Sequence, residues 1–181
     1  MAMDKSKLAL ILSKLADGSK NSLLQLSLPS EIIAKILYTA RKTIKNKIVY
    51  NLGCGTGRFA IGSALLGAKA VYGIDIERSL LDTAKDNMLY SQNLTGIRVS
   101  NICNWQLKNA LSINEKCDTA IQFPPISNDI KFFAKALEIA KSVYSIHKPE
   151  REEELRRLAR KYGCILTKDF LHDMTLFIAK S

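Results

Sequence analysis

The sequence predicts an α/β protein in which a seven-stranded, mostly parallel sheet carries helices on both faces. Three observations lead there. From Lys47 onward, short β-rich apolar runs alternate with longer helical patterns, the signature of βαβ units. A glycine-rich loop, Asn51-Leu52-Gly53-Cys54-Gly55-Thr56-Gly57, separates the first such run from the first helical pattern. The last two runs are joined by a short connection, which gives a doubly wound sheet an antiparallel tail.

Taken in order, residues 1–46 hold two helices, Asp4 to Ala16 and Pro29 to Thr43. Pro29 suits the first turn of the second, and Glu31 favours its positive end. The core, 47–181, begins with strand Ile48 to Leu52 and helix Gly57 to Leu66. Strand Ala70 to Ile74, helix Glu77 to Leu89 and strand Ile97 to Ser100 follow. Then come strand Cys117 to Phe123, helix Ile130 to Lys141, strand Ser142 to His147 and helix Pro149 to Lys161. Strands Cys164 to Thr167 and Met174 to Ala179 complete the sheet. No Pro/Gly/Ser linker or internal repeat interrupts the 181 residues, so a single domain is expected.

Composition narrows the function classes. With 47% hydrophobic residues the chain can bury a core, which excludes a disordered tail or a fibrous repeat. Its longest apolar stretches, such as Ala68 to Ile76, fall short of the roughly 18 residues of a membrane span. The lysine-bearing first twenty residues read as an amphipathic helix rather than a secretion signal. Cys54, Cys103, Cys117 and Cys164 form no C-x-x-C pair and have no histidine at metal-ligand spacing, so no metal is expected. They read as buried apolar residues in a reducing, cytoplasmic setting. The net charge of +10 has two readings, a nucleic-acid footprint or solubility. Helix 149–161 reads as a solvated face, because Glu152/Arg156 and Glu153/Arg157 are spaced for ion pairs. The remaining cations cluster in the N-terminal third, at Lys5, Lys7, Lys14, Lys20, Lys35, Arg41, Lys42, Lys45 and Lys47.

The glycine loop carries the sharpest signal. Glycines at alternate positions let the backbone turn tightly and let a ligand approach where a Cβ would collide. A second strand ends in Asp75, twenty residues past Gly55, where a carboxylate can accept both hydroxyls of an adenosine ribose. A dinucleotide site would need a third glycine where Arg58 stands, and a tight βα turn without ligand is the plainest alternative. The spacing G-x-G-x-G resembles motif I of the class I S-adenosylmethionine-dependent methyltransferases, whose fold is the Rossmann-like sheet described above.

Later segments narrow the resemblance. Asp118-Thr119-Ala120-Ile121-Gln122-Phe123-Pro124-Pro125-Ile126 looks like the D-x-x-x-x-N-P-P-F segment of amino-methylating nucleic-acid methyltransferases. Phe132 to Ala140, followed by Val143-Tyr144-Ser145-Ile146-His147, is similar to the archaeal predicted RNA methylases. Their eukaryotic relatives methylate adenine N6 in small-subunit ribosomal RNA with a small zinc-binding activator subunit. The resemblance implies S-adenosyl-L-methionine as cofactor, held by Asn51, Gly53, Cys54, Gly55, Thr56, Gly57, Asp75, Ile76, Asn101 and Ile102. It implies ribosomal RNA and the activator as partners, with no membrane.

The departures fall where the chemistry should be. In the family, the motif's Asn oxygen and the following proline carbonyl accept the amine hydrogens, and the aromatic stacks on the base. Here Phe123 takes the Asn position and Ile126 the aromatic one, followed through Pro124 and Pro125. Gln122 is a substitute acceptor only if the strand bulges, since a shift of one residue reverses the face. Asn51 replaces an acid opening motif I, and Asn101, after the third strand, replaces an Asp that accepts from the adenine amino group. The lid segment, Leu23 to Pro29, keeps only Leu23, Gln25 and Pro29 of the family pattern. Lys168 to Asp173 is a shortened form of the family's basic and aromatic hairpin. His147, Trp105 and Tyr90 read as packing residues, and His172 as a surface residue. A methyltransferase and a degenerate homologue serving as a binding or scaffold subunit both remain open, and Phe123 is what separates them.

Overall fold

The computed structural model describes residues 3–17, 28–171 and 173–180. Helices α1 (Lys5–Leu12) and α2 (Ser30–Ile44) precede β1 (Ile48–Leu52), α3 (Arg58–Leu65), β2 (Ala70–Asp75), α4 (Arg78–Thr95) and β3 (Cys103–Leu107). Then follow β4 (Cys117–Gln122), α5 (Asp129–Ile139), β5 (Ala140–His147), α6 (Glu152–Lys161), β6 (Ile165–Leu171) and β7 (Met174–Lys180). The sheet runs β3-β2-β1-β4-β5-β7-β6. Its first five strands are parallel, and β7 is antiparallel to both β5 and β6.

Strand alternation sends side chains into two cores. Val49, Val71, Ile121, Tyr144 and Ile146 pack with α1, α2 and α3 on one face. Tyr50, Leu52, Ala120, Val143 and Phe177 pack with α5 and α6 on the other. The amphipathic stripe of α2 buries Ile33, Ala34, Ile36, Leu37, Ala40 and Ile44 at helical spacing. Acids in the first turn of α6 and bases in its last complement the helix dipole. All four cysteines are buried and free, and no described helix is long and apolar enough to cross a membrane.

Several expectations need correction. The third strand is not Ile97 to Ser100: Val99–Asn101 is a 3-10 turn, and β3 starts at Cys103. As an edge strand, β3 mixes Asn104 and Gln106 with Cys103 and Trp105, so its apolar run is broken. Helix α5 stops at Ile139, and Ala140 and Lys141 already belong to β5. The supposed hairpin Lys168 to Asp173 is mostly strand, since β6 continues to Leu171 and only 172 and 173 intervene before β7. Arg156 pairs with Glu152 at 2.8 Å, but no Glu153–Arg157 pair forms. Instead, Glu152 also accepts from Lys168 on β6. The lid residues 23–27, Lys20 and His172 lie outside the described residues.

Candidate cofactor and acceptor site

The carboxyl edge of the parallel strands gathers most of the residues singled out. After β1 the loop turns through Gly53, Gly55 and Gly57 at φ +65°, +52° and +81°. These angles lie in the left-handed region, where a side chain is strained. The Cys54 amide donates to the Ile74 carbonyl at 2.9 Å, docking the loop on β2. The Gly55 amide donates to Asp75 Oδ2 at 2.8 Å, and the Glu77 amide to Asp75 Oδ1 at 3.0 Å. Asp75 therefore organises both loops. Burial, with the neighbouring Asp75 adding to it, pushes the Cys54 thiol well up, so this cysteine is a neutral packing group.

Two glycines answer to a side chain rather than to a ligand. A Cβ at Gly57 would lie 2.5 Å from the Trp105 ring, and one at Gly73 would meet the same ring at 2.5 Å. Trp105 thus braces the loop from β3, as packing predicts. Sequence reasoning missed Asn87 of α4, which is buried. Its Nδ2 donates to the Thr56 carbonyl at 3.0 Å and to the Ala16 carbonyl at 2.8 Å, while Oδ1 accepts from the Ala16 amide at 2.8 Å. An amide on the core side of an otherwise amphipathic helix, where Ser91 is the other buried polar residue, was the available signal. Arg58 reaches back to the Leu28 carbonyl at 2.9 Å and Ser30 Oγ at 2.6 Å, fixing the residues that follow the lid segment.

Around Asp75 the edge suits an adenosine group. Ile76 beside it is 73% exposed, an apolar side chain left in solvent. Leu107, the register partner of Asp75 on β3, is also exposed. Asn101 and Ile102 are not at this edge. They precede β3, where the Ile102 carbonyl accepts from the Val71 amide near the start of β2. The misplaced strand carried them to the wrong end; past β3 the carboxyl edge holds Lys108 and Asn109, whose Oδ1 accepts from the Leu111 amide at 3.0 Å. At the mouth of the loop, Asn51 is buried, with Nδ2 on the Ile121 carbonyl at 3.1 Å. Its Oδ1 has no partner among the described residues.

Beyond β4 lies a cleft of about 360 Å³, lined by Pro124, Ile126, Asp129, His147, Lys148, Arg151 and Met174 among others. Phe123 turns away from the α5 face and packs on the core beneath α1 to α3. Pro125 closes a turn by accepting from the Asn128 amide at 3.0 Å. Gln122 does not replace the missing acceptor: β4 keeps a regular register through it, without a bulge. Its side chain is fully buried, with Nε2 donating to Ser145 Oγ at 2.9 Å.

That bond opens a buried chain of polar groups. Ser145 Oγ lies 2.6 Å from His147 Nε2, His147 Nδ1 lies 3.3 Å from Asp129 Oδ2, and Arg151 Nε donates to the same oxygen at 3.0 Å. Burial depresses the His147 pKa against the opposing pull of Asp129. With a neutral ring the donors run in one direction, Gln122 to Ser145, Ser145 to Nε2, and Nδ1–H to Asp129, while the buried Gln122 Oε1 has no partner among the described residues. Ser-His-Asp order suggests a hydrolase triad, but Ser145 is fully buried and already accepts from Gln122. The chain therefore holds β4, β5 and α5 in register beside the cleft.

Comparison with known proteins agrees with this geometry. The family described as Ribosomal protein L11 methyltransferase (PrmA) matches residues 34–121. An uncharacterized protein of Methanocaldococcus jannaschii is 34% identical over 81% of this chain and 71% of its own length. The crystal structure of a candidate RNA methyltransferase from Pyrococcus horikoshii superposes with a TM-score of 0.81, at 27% identity over 100% of this chain and 99% of that one. Fold, glycine loop and relatives define one class, and the chain belongs to the class I S-adenosylmethionine-dependent methyltransferases. Within that class it resembles the rRNA N(6)-adenosine-methyltransferase METTL5 of Danio rerio, at 33% identity over 70% of this chain. It spans 65% of that relative's length.

Proposed function

We propose that the chain binds S-adenosyl-L-methionine and methylates adenine N6 in RNA, most simply ribosomal RNA. The observation that carries the reading is Asp75. Backbone amides take two of the four lone-pair positions on its carboxylate, leaving two at the carboxyl edge to accept ribose hydroxyls. Ile76 and Leu107 offer apolar surface to an adenine ring, with Asn109 as its hydrogen-bonding neighbour in place of Asn101. The unpartnered Asn51 Oδ1 suits a methionine ammonium. When bound, the cofactor supplies an electrophilic methyl group on a sulfonium.

On the acceptor side, the Pro124 carbonyl can accept one amine hydrogen of a base lying against Ile126 and Met174. Lys148 and Arg151 stand at the same cleft to meet phosphate. Phe123 leaves the second amine hydrogen without its side-chain acceptor, so orientation rests on the proline carbonyl and the cleft walls. METTL5 of Drosophila melanogaster, also named as an rRNA N(6)-adenosine-methyltransferase, supports the same substrate.

The decisive experiment incubates the protein with methyl-labelled S-adenosylmethionine and ribosomal RNA of its own organism, with and without a small zinc-binding activator subunit. Label recovered as N6-methyladenine is expected. Calorimetric binding of S-adenosylhomocysteine without transfer would instead establish the reading that Phe123, packed on the core, favours: a degenerate homologue acting as a binding or scaffold subunit.

A further inference from the structure

Opposite the site, at the amino edge of the sheet, cations recur strand after strand. Lys69 precedes β2, Lys47 precedes β1 and Lys116 precedes β4. Lys141 is the second residue of β5, and Lys180 ends antiparallel β7 beside Ser142 of β5. Because the strands lie in the order β2-β1-β4-β5-β7, these lysines form a row, one per strand. At about 4.8 Å between strands the row is about 19 Å long. Arg98, in the turn before β3, and Lys45, at the end of α2, extend it. All seven side chains are exposed.

Part of the row has a structural role. Lys116 Nζ caps α5 by donating to the Glu138 carbonyl at 2.7 Å, and Lys141 pairs with Asp118 at 3.1 Å. The side chains of Lys45, Lys47, Lys69 and Lys180 make no hydrogen bond or ion pair among the described residues. Helix dipoles explain cations at helix C-termini but not Lys180, at the end of a strand. Nor does solubility explain the segregation. The carboxyl edge mixes Asp75, Glu77, Asp129 and Glu150 with Lys108, Lys148 and Arg151. Along the amino edge the acids are Glu115, Asp118 and Glu138; Asp118 is already shared between Lys141 and the Ile48 amide, and Glu138 pairs with Lys135 at 2.8 Å. A nucleic-acid strand in a duplex carries one phosphate per roughly 3.4 Å of axis, so a row of this length meets several.

We propose that this lysine row is a second RNA-binding surface, gripping the sugar-phosphate backbone of the substrate at the edge opposite the reacting base. The inference rests on RNA being the substrate. Contact there is electrostatic and independent of base sequence, so it anchors a long RNA without specifying the target adenine.

The test measures fluorescence anisotropy of a labelled single-stranded ribosomal-RNA fragment over a range of salt concentrations. The triple variant Lys47→Glu/Lys69→Glu/Lys180→Glu should bind about tenfold or more weakly, with the slope of log affinity against log salt reduced by about two, at about 0.7 per lost phosphate contact. The matching triple Arg variant should behave as wild type, and all three proteins should give the same heat with S-adenosylhomocysteine. A Glu variant with wild-type affinity and slope overturns the proposal while leaving RNA as substrate intact. An Arg variant as impaired as the Glu variant overturns it too, because charge would not be the cause. Failure of the wild-type protein to bind the RNA at all removes both the row and the substrate reading.

Discussion

At Gly57 the backbone and a neighbouring ring make the same demand. The residue sits at φ +81°, and an added Cβ would lie 2.5 Å from Trp105. Gly57→Ala therefore adds left-handed strain of about 1–2 kcal/mol to an overpacking cost of about 1–3 kcal/mol. Thermal unfolding should show a clearly lowered midpoint. Asp75 is the contrasting case, since its effect should appear in binding. Asp75→Ala removes a charged acceptor from the ribose position and strands the Gly55 and Glu77 amides, a loss of about 2 kcal/mol or roughly thirtyfold. Calorimetry with S-adenosylhomocysteine reads it directly, and unchanged affinity would show that the loop is only a turn.

Among the elements, legibility followed burial. Strands β1, β2, β4 and β5 lie inside the sheet, and their apolar runs Ile48–Leu52, Ala70–Ile74, Cys117–Ile121 and Ser142–Ile146 announce them. Edge strand β3 shows water one flank and carries Asn104 and Gln106, so the apolar pair Ile97 and Val99 drew the assignment upstream. With it went Asn101 and Ile102, while the glycine loop and Asp75, tied to two interior strands, fell where motif spacing puts them. Asn87 was invisible for another reason: its partners are backbone groups of Ala16 and Thr56, 71 and 31 residues away. Asn87→Ala should cost about 2–4 kcal/mol, since three hydrogen bonds vanish and buried backbone groups are left unpaired. It should also weaken S-adenosylhomocysteine binding, because α4 no longer steadies the glycine loop. By contrast, Lys35→Ala, which removes a half-exposed pair with Asp169 on β6, should shift stability by less than about 1 kcal/mol.

For the whole molecule, two chemical probes test how tightly the layers close. Burial lifts the Cys103 and Cys117 thiols to about 12, so near pH 8 only about one molecule in ten thousand carries the reactive thiolate at either site. Alkylation followed by mass spectrometry should leave both unmodified until denaturant is added. His147 sets the acid side. Its pKa is lower folded than unfolded, so the unfolded chain takes up the proton first as pH falls below about 6.5. Stability is then complete above that value and declines with acid through the folded pKa. Urea titrations between pH 5 and 8 should show this decline, and His147→Gln should flatten it.

The place of β7 has a consequence for how the chain is made. It is the last strand in the sequence, yet it lies between β5 and β6, with pairs on both sides. During synthesis β1 to β5 can assemble as they emerge, whereas β6 leaves the ribosome with no neighbour to join. Sheet closure therefore waits for residues 174–180, and a chain ending before Met174 would carry two bare strand edges where the finished protein has a filled slot.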